Sequence, residues 1–362
     1  MDSTLYVMAI VLIFGVVIMF HEAGHFIVAK LSGMKVYEFA MGFGPILGSF
    51  TRHDTRYSIR ALPLGGFVRV AGLEGEEDEV AESFNKKPIG LRIATIAAGP
   101  VMNVVLAAVI FSLIYSVFGR PVDVTEKVER VLSGKPAALA GIEPGDELVA
   151  VNGITGSGEL RKEIRENPGK AVTVTVERNG ERLDFEMVPA EQPVMHEPVY
   201  SDNGDLIEVR RSDAVYGYIG VVFEQKMERL PLHTAMWTGL QNTWEAVAAL
   251  GSSIGLTFKG KAPVDVRGPV GIVSMMYEEA QVSWIGFLQF AGIFNVMIAF
   301  LNLLPFPALD GSRIVFLGIE GVRGRPVDPR KEALVHTIGL VVLLFFVLIV
   351  TVMDVFRIWG PH

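Results

Sequence analysis

The chain has no cysteine. That excludes disulfides, iron–sulfur clusters, thiolate zinc sites and a cysteine nucleophile together, so any metal must be held by His, Asp or Glu. Charge is also scarce: only 20% of the 362 residues are Asp, Glu, Lys or Arg, against about a quarter in globular domains. The basic sign is the rarer one, 32 residues against 40 acidic for a net charge of −8. A chain without a basic surplus is no nucleic-acid binder. What remains is apolar. Half of the residues are hydrophobic and the mean hydropathy is +0.40, which points away from a purely soluble protein.

Four stretches are long and apolar enough to cross a bilayer, which takes about 20 residues. The first, 5–29, is uninterrupted to Phe20 and then carries His21, Glu22 and His25. The second, 93–118, has only Asn103 as a strongly polar break. The third, 285–309, is uncharged but holds Asn295, Asn302, Pro305 and Pro307; the fourth is 333–353. A cleavable signal peptide fits the first stretch poorly, because no Lys or Arg precedes it and no small-residue cleavage site follows. Basic residues sort the loops. Lys30, Lys35, Arg52, Arg56, Arg60, Arg69, Lys86, Lys87 and Arg92 lie between spans one and two, and Arg313, Arg323, Arg325, Arg330 and Lys331 between spans three and four. The positive-inside rule puts those loops in the cytoplasm, and both termini and the long segment between spans two and three outside.

That outer segment starts as a compact domain. Residues 128–132, 147–151, 171–178 and 182–188 cluster β-formers, Asn152-Gly153 and Asn179-Gly180 supply turns, and 136–140 and 157–167 read as helices. The run from Gly134 to Gly153, GKPAALAGIEPGDELVAVNG, resembles the PDZ domains of bacterial proteases. PDZ domains bind extended peptides by adding a strand to their own sheet. Beyond it, 193–212 is polar and turn-rich and reads as a loop or extension. Residues 232–258 form a half-apolar helix with Trp237 and Trp244, expected to lie along the outer membrane surface.

His21-Glu22-Ala23-Gly24-His25 carries the chemistry. On a helix, residues four apart share a face, so both imidazoles can point at one ion, and Glu22 can reach a metal-activated water as general base. The motif lies in a membrane span, where an ionised side chain costs about 2.5–3.5 kcal/mol; a bound metal would compensate. Two His make half of a tetrahedral site, so a third ligand is expected. Glu38 and His53 sit in unpromising loops. Asp310, in the run from Asn302 to Gly311 (NLLPFPALDG), is the other acid candidate; a plain helix cap would explain Asp310 but not Asn302 or the double proline break.

HEAGH in a first span with NLLPFPALDG in a later one resembles the site-2 protease family of intramembrane zinc metalloproteases. The single PDZ-like insertion resembles its bacterial regulator-of-sigma-E branch. The resemblance implies zinc held by His21, His25 and Asp310, Glu22 as catalytic base, Asn302 holding the substrate or the developing oxyanion, and Pro305, Gly65 and Gly66 as substrate-binding. Residues 56–71, including Leu64-Gly65-Gly66-Phe67, are similar to the family's membrane-associated β-loop, and Gly99-Pro100-Val-Met-Asn103 to a second-span element, read as a kink with a polar contact.

The expected fold is a polytopic α-helical membrane protein with four transmembrane helices, a membrane-associated β-loop and an inserted α+β PDZ domain. Its parts run 1–32, 33–90, 91–119, 120–192, 193–284, 285–311, 312–332 and 333–356. The expected location is a bacterial cytoplasmic membrane, with single-span membrane proteins as substrates, an anti-sigma factor or signal-peptide remnants among them. Depth gives a separate check: Leu5 to His21 is about 24 Å of helix in a hydrocarbon core about 30 Å thick, so the metal lies toward the cytoplasmic leaflet. Asp310 falls at the cytoplasmic end of the third span. His336 is expected to be a hydrogen-bonded bundle residue, and His196, His233, His362 and the acidic run 74–79 to be solvated. The competing readings are a non-catalytic PDZ-bearing adaptor, which would have no need of Glu22, and a metal transporter, which would spread His and acids over several spans.

Overall fold

The structure, a computed structural model, describes residues 3–73, 80–193, 196–200, 206–211, 214–262 and 266–359. The acidic run 74–79 and His362 lie outside these. The chain divides into two compact units: one of residues 1–116, 231–250 and 265–362, the other of 117–230 and 251–264.

The first unit is helical and holds all four apolar spans. Helices α1 (Ser3–Leu31) and α2 (Ile89–Val117) are each 29 residues long. They meet where Gly24 leaves no room for a side chain: a Cβ there would stand 2.6 Å from the Ala98 carbonyl carbon. Such close backbone approach through small residues is how helices associate when lipid removes the hydrophobic drive between them. Between the two helices runs a long hairpin, β1 (Val36–Arg52) and β2 (Thr55–Val70), turned at His53-Asp54 with both φ positive, as a tight primed turn requires.

The hairpin is folded back on itself. Phe39 pairs with both Val68 and Tyr57, Ala40 with both Phe67 and Ser58, and Met41 with both Gly66 and Ile59. The first half of β1 therefore runs between the two halves of β2. Gly42, Gly44 and Gly65, all at positive φ, make the bend; at Gly65 a side chain would run into the Phe43 ring. Inside the hairpin Glu38 is buried, accepting from Ser58 Oγ at 2.6 Å and Arg60 Nη2 at 2.8 Å. Burial alone would push its carboxyl up, but these two donors hold it below the usual range. Val36, Val68 and Val70 of the hairpin share a core with Ala29, Ile96 and Leu317.

The carboxyl-terminal part of this unit has more helices than the apolar spans require. After a short 3₁₀ turn at Phe84–Lys86 and α2, the later helices are α5 (Leu232–Phe258), of which 232–250 belong to this unit, α6 (Pro269–Val282), α7 (Trp284–Leu303), α8 (Asp310–Arg323) and α9 (Pro329–Trp359). Among the described residues, four helices are long and apolar enough to cross a membrane: α1, α2, α7 and α9. The third span ends earlier than the apolar run, at Leu303, because prolines at 305 and 307 cannot continue a helix. Helix α6 has no counterpart among the elements expected from the sequence. Its first turn is capped from another helix: the Gly271 N–H donates to Asp354 Oδ2 of α9 at 2.7 Å.

In the second unit the sheet order is β11 (Val221–Glu228), β3 (Arg120–Val131), β4 (Glu147–Val151), β5 (Val172–Arg178) and β6 (Glu181–Met187). Val172, Val174 and Val176 alternate inward over α3 (Pro136–Ala140) and α4 (Ser157–Glu166), onto Ala137, Leu160 and Ile164. The strands and both helices expected within 128–188 are present. Asn179-Gly180 makes its turn with both φ positive. Two things differ. The edge strand β11 comes from beyond residue 192, and part of the stretch read as a loop, 193–212, pairs as β8 (His196–Tyr200) with β9 (Leu206–Arg211). Short β7 (Ala190–Pro193) pairs with β10 (Val215–Tyr218). Val199, Leu206 and Val209 are strand formers, but the charged residues among them mask the period.

Candidate metal centre

Helical spacing on α1 places His21 and His25 one above the other, with Nε2 atoms 3.3 Å apart. Asp310, the first residue of α8, reaches both: its Oδ2 is 3.2 Å from His21 Nε2 and 3.4 Å from His25 Nε2. The loop before it makes this possible. Leu309, the residue before α8, forms no side-chain cap bond, and Asp310 turns its carboxylate to the imidazoles. Gly311 packs so tightly on the Leu303 and Leu304 carbonyls that a Cβ would stand under 3.0 Å from both. Ala308, at φ 80°, donates its N–H to His336 Nδ1 of α9 at 3.1 Å. Helices α7, α8 and α9 thus set the position of one carboxylate. The positive end of α8 also favours a negative charge at its first residue.

The three donor atoms fit one ion. Bonds of about 2.0–2.1 Å in tetrahedral array require donors about 3.3 Å apart, and the triangle here measures 3.2, 3.3 and 3.4 Å. Asp310 Oδ2 is buried without a hydrogen-bond partner among the described residues, as a ligand oxygen aimed at an ion would be. His25 Nδ1 lies 2.9 Å from the Thr95 carbonyl oxygen. A carbonyl only accepts, so Nδ1 carries the proton and Nε2 keeps its lone pair for the shared point. Among the described residues this is the one His/Asp/Glu group with such geometry.

Helix α2 forms the wall behind the pair. A Cβ at Gly99 would stand 2.5 Å from His25 Cε1 and 2.9 Å from His21 Cε1, so glycine there makes room for both rings. Asn103, fully buried, brings its amide nitrogen to 3.4 Å from His21 Nδ1. The polar contact expected of Asn103 is therefore made with His21, while the roles of Gly99 and the Thr95 carbonyl have no signal in the sequence beyond the Gly-Pro break.

A family model for peptidase family M50 matches residues 9–346. The chain belongs to peptidase family M50. Relatives run the whole length: the zinc metalloprotease RasP of Oceanobacillus iheyensis is 30% identical over 98% of this chain and 99% of its own. The zinc metalloprotease RasP of Geobacillus kaustophilus is 30% identical over 96% and 97%. The regulator of sigma-W protease RasP of Bacillus subtilis is 29% identical over 98% and 99%. As an M50 peptidase the chain is a zinc metalloprotease, and the resemblance carried by HEAGH and NLLPFPALDG holds.

The other expected site residues are not part of the donor triangle. Glu22 is half-buried, with the Val68 backbone amide in hydrogen-bonding reach of its carboxylate. Gly66 sits over the same side chain: a Cβ there would be 3.4 Å from Glu22 Cγ. Gly65 is buried one residue earlier. Asn302 is half-buried near the end of α7 and makes no hydrogen bond to the triad; Pro305 is exposed in the turn that follows. Glu38 is engaged by Ser58 and Arg60, and His53 occupies the hairpin turn; neither joins the metal centre. His233 is exposed.

Proposed function

We propose that this protease cuts peptide bonds inside the membrane-spanning segments of single-span proteins, with His21, His25 and Asp310 holding zinc and Glu22 as the general base. The observation that carries the reading is position: the donor triangle is built on a helix apolar enough to cross a membrane, at its far end from the amino terminus. Bound there, zinc supplies a Lewis acid that polarises the scissile carbonyl and lowers the pKa of a water molecule. The Glu22 carboxylate takes the proton from the attacking water and delivers it to the leaving amine. A helical substrate hides its carbonyls in its own hydrogen bonds, so it must unwind before it is cut. Among the described residues the second half of β2, 66–70, pairs on one side only, with β1. Its other edge offers backbone partners to an unwound chain by strand addition, beside Glu22. Gly65 and Gly66 keep that edge close to the base, and Asn302 near the end of α7 and Pro305 in the turn after it border the substrate.

The second unit, in this reading a PDZ domain on the extracytoplasmic side, admits substrates whose outer part has been trimmed and holds back bulky ones. Helix α5, with Trp237 and Trp244 exposed, lies along the outer membrane surface. The relative from Bacillus subtilis is named for regulating sigma-W, which supports an anti-sigma factor as substrate, with signal-peptide remnants as the second candidate. A non-catalytic adaptor would have no reason to hold Glu22 beside a complete donor triangle. The test is to reconstitute the protein with a tagged single-span substrate and map the cut by mass spectrometry. Cleavage within the apolar segment is expected; cleavage only in flanking soluble sequence would refute the proposal.

A further inference from the structure

We infer that Asn103 is a positioning residue for His21: its carboxamide oxygen accepts the His21 Nδ1–H and fixes the ring in the tautomer that presents Nε2 to the metal. The inference rests on the metal-centre reading and extends it by one hydrogen bond.

Three observations carry it. Asn103 is fully buried in α2, and its amide nitrogen lies 3.4 Å from His21 Nδ1. Its Oδ1 is buried with no partner among the described residues, a costly state for a carbonyl that can accept two hydrogen bonds. His21 Nε2 is turned to Asp310 and His25, so in the metal-holding tautomer the proton sits on Nδ1. An NH₂ facing that N–H would set donor against donor. A half-turn of the carboxamide exchanges its two ends and places the orphaned oxygen on the Nδ1–H. The same rule already operates for the neighbouring ring, where the Thr95 carbonyl accepts from His25 Nδ1 at 2.9 Å. Thr95, Gly99 and Asn103 are spaced four apart on one face of α2. One helix therefore supplies an acceptor for each histidine and, between them, the space for both. An amide suits the second acceptor because a further carboxylate beside Asp310 would add an ionised group to an apolar span.

Outer partners of metal-bound histidines are worth about 10–100-fold in metal affinity. The test measures zinc affinity of the full-length protein in detergent by competition with a chromogenic chelator, for the native chain, Asn103→Leu and Asn103→Asp. Leucine keeps the volume and removes the acceptor; aspartate keeps the acceptor and adds charge. The expected result is a 10–100-fold loss for Asn103→Leu, with Asn103→Asp closer to the native protein. A packing role predicts the reverse order, with leucine harmless and aspartate worst, and that order overturns the inference. Should Asn103→Leu fail to fold, as judged by circular dichroism, Asn103→Ala takes its place with the same expected loss. A native chain that binds no zinc refutes the metal centre; a native chain that binds zinc no better than Asn103→Leu refutes only the role of Asn103.

Discussion

Replacing Gly99 with alanine adds a single methyl group, and its effect can be worked from the geometry. The new Cβ would stand 2.5 Å from His25 Cε1 and 2.9 Å from His21 Cε1, where ordinary contact begins at 3.4 Å. The His25 ring must retreat by about 1 Å, which carries its Nε2 out of a bond of about 2.0–2.1 Å. Misplacement of about 1 Å at a reacting centre costs on the order of 100-fold in rate. Helix propensity works the other way, since alanine is better than glycine inside a helix by about 1 kcal/mol. Gly99→Ala should therefore lose zinc and about 100-fold in cleavage rate without unfolding α2. Gly90→Ala, on the same helix with no described atom within 4 Å of its Cβ, is the control and should change neither. Zinc content by plasma emission, cleavage of a model membrane substrate and a melting curve decide it. Full zinc and full turnover in Gly99→Ala would show that the wall of α2 does not shape the site.

Gly311→Ala should release zinc by a different route. Its Cβ would meet the Leu303 and Leu304 carbonyls under 3.0 Å, and backbone cannot swing aside, so α8 must move and take Asp310 with it; a metal analysis of the purified variant checks this. In the second unit, Arg178 grips the buried Asp146 carboxylate at 2.6 and 2.8 Å and holds it below its ordinary value. That stabilisation is fully present above about pH 4 and is lost as the pH falls through the lower folded value. Arg178→Gln should thus lower the melting temperature of that unit at pH 7, and the gap to the native protein should close in acid. A gap that is constant from pH 7 to pH 2.5 would mean that the ion pair does not stabilise the unit.

Local spacing makes the centre of the site legible in the amino-acid sequence. Residues four apart on a helix face one way whatever surrounds them, so His21 and His25 announce a shared ligand, and the prolines at 305 and 307 announce the break that frees Asp310. The Asn-Gly turn at 179 is equally local. What escapes depends on partners distant in the chain. Gly99 matters only because α1 packs against α2, and glycine in an apolar span is otherwise ordinary. The folded-back hairpin hangs on Gly42, Gly44 and Gly65 acting together, and a pattern of alternation cannot say that one strand will pair twice. Strand β11 completes a sheet begun about a hundred residues earlier, and Asp354 caps α6 from 83 residues away. Periodicity within a window reports neither.

In the proposed mechanism Glu22 moves protons at a zinc held by His21, His25 and Asp310. Glu22→Gln keeps the shape of the side chain and removes the base. The decisive measurement is zinc stoichiometry and cleavage of a single-span substrate by that purified variant, side by side with the native protein. The account predicts one zinc per chain in both proteins and no cleavage by the variant. Turnover by Glu22→Gln at a rate near the native one would contradict it.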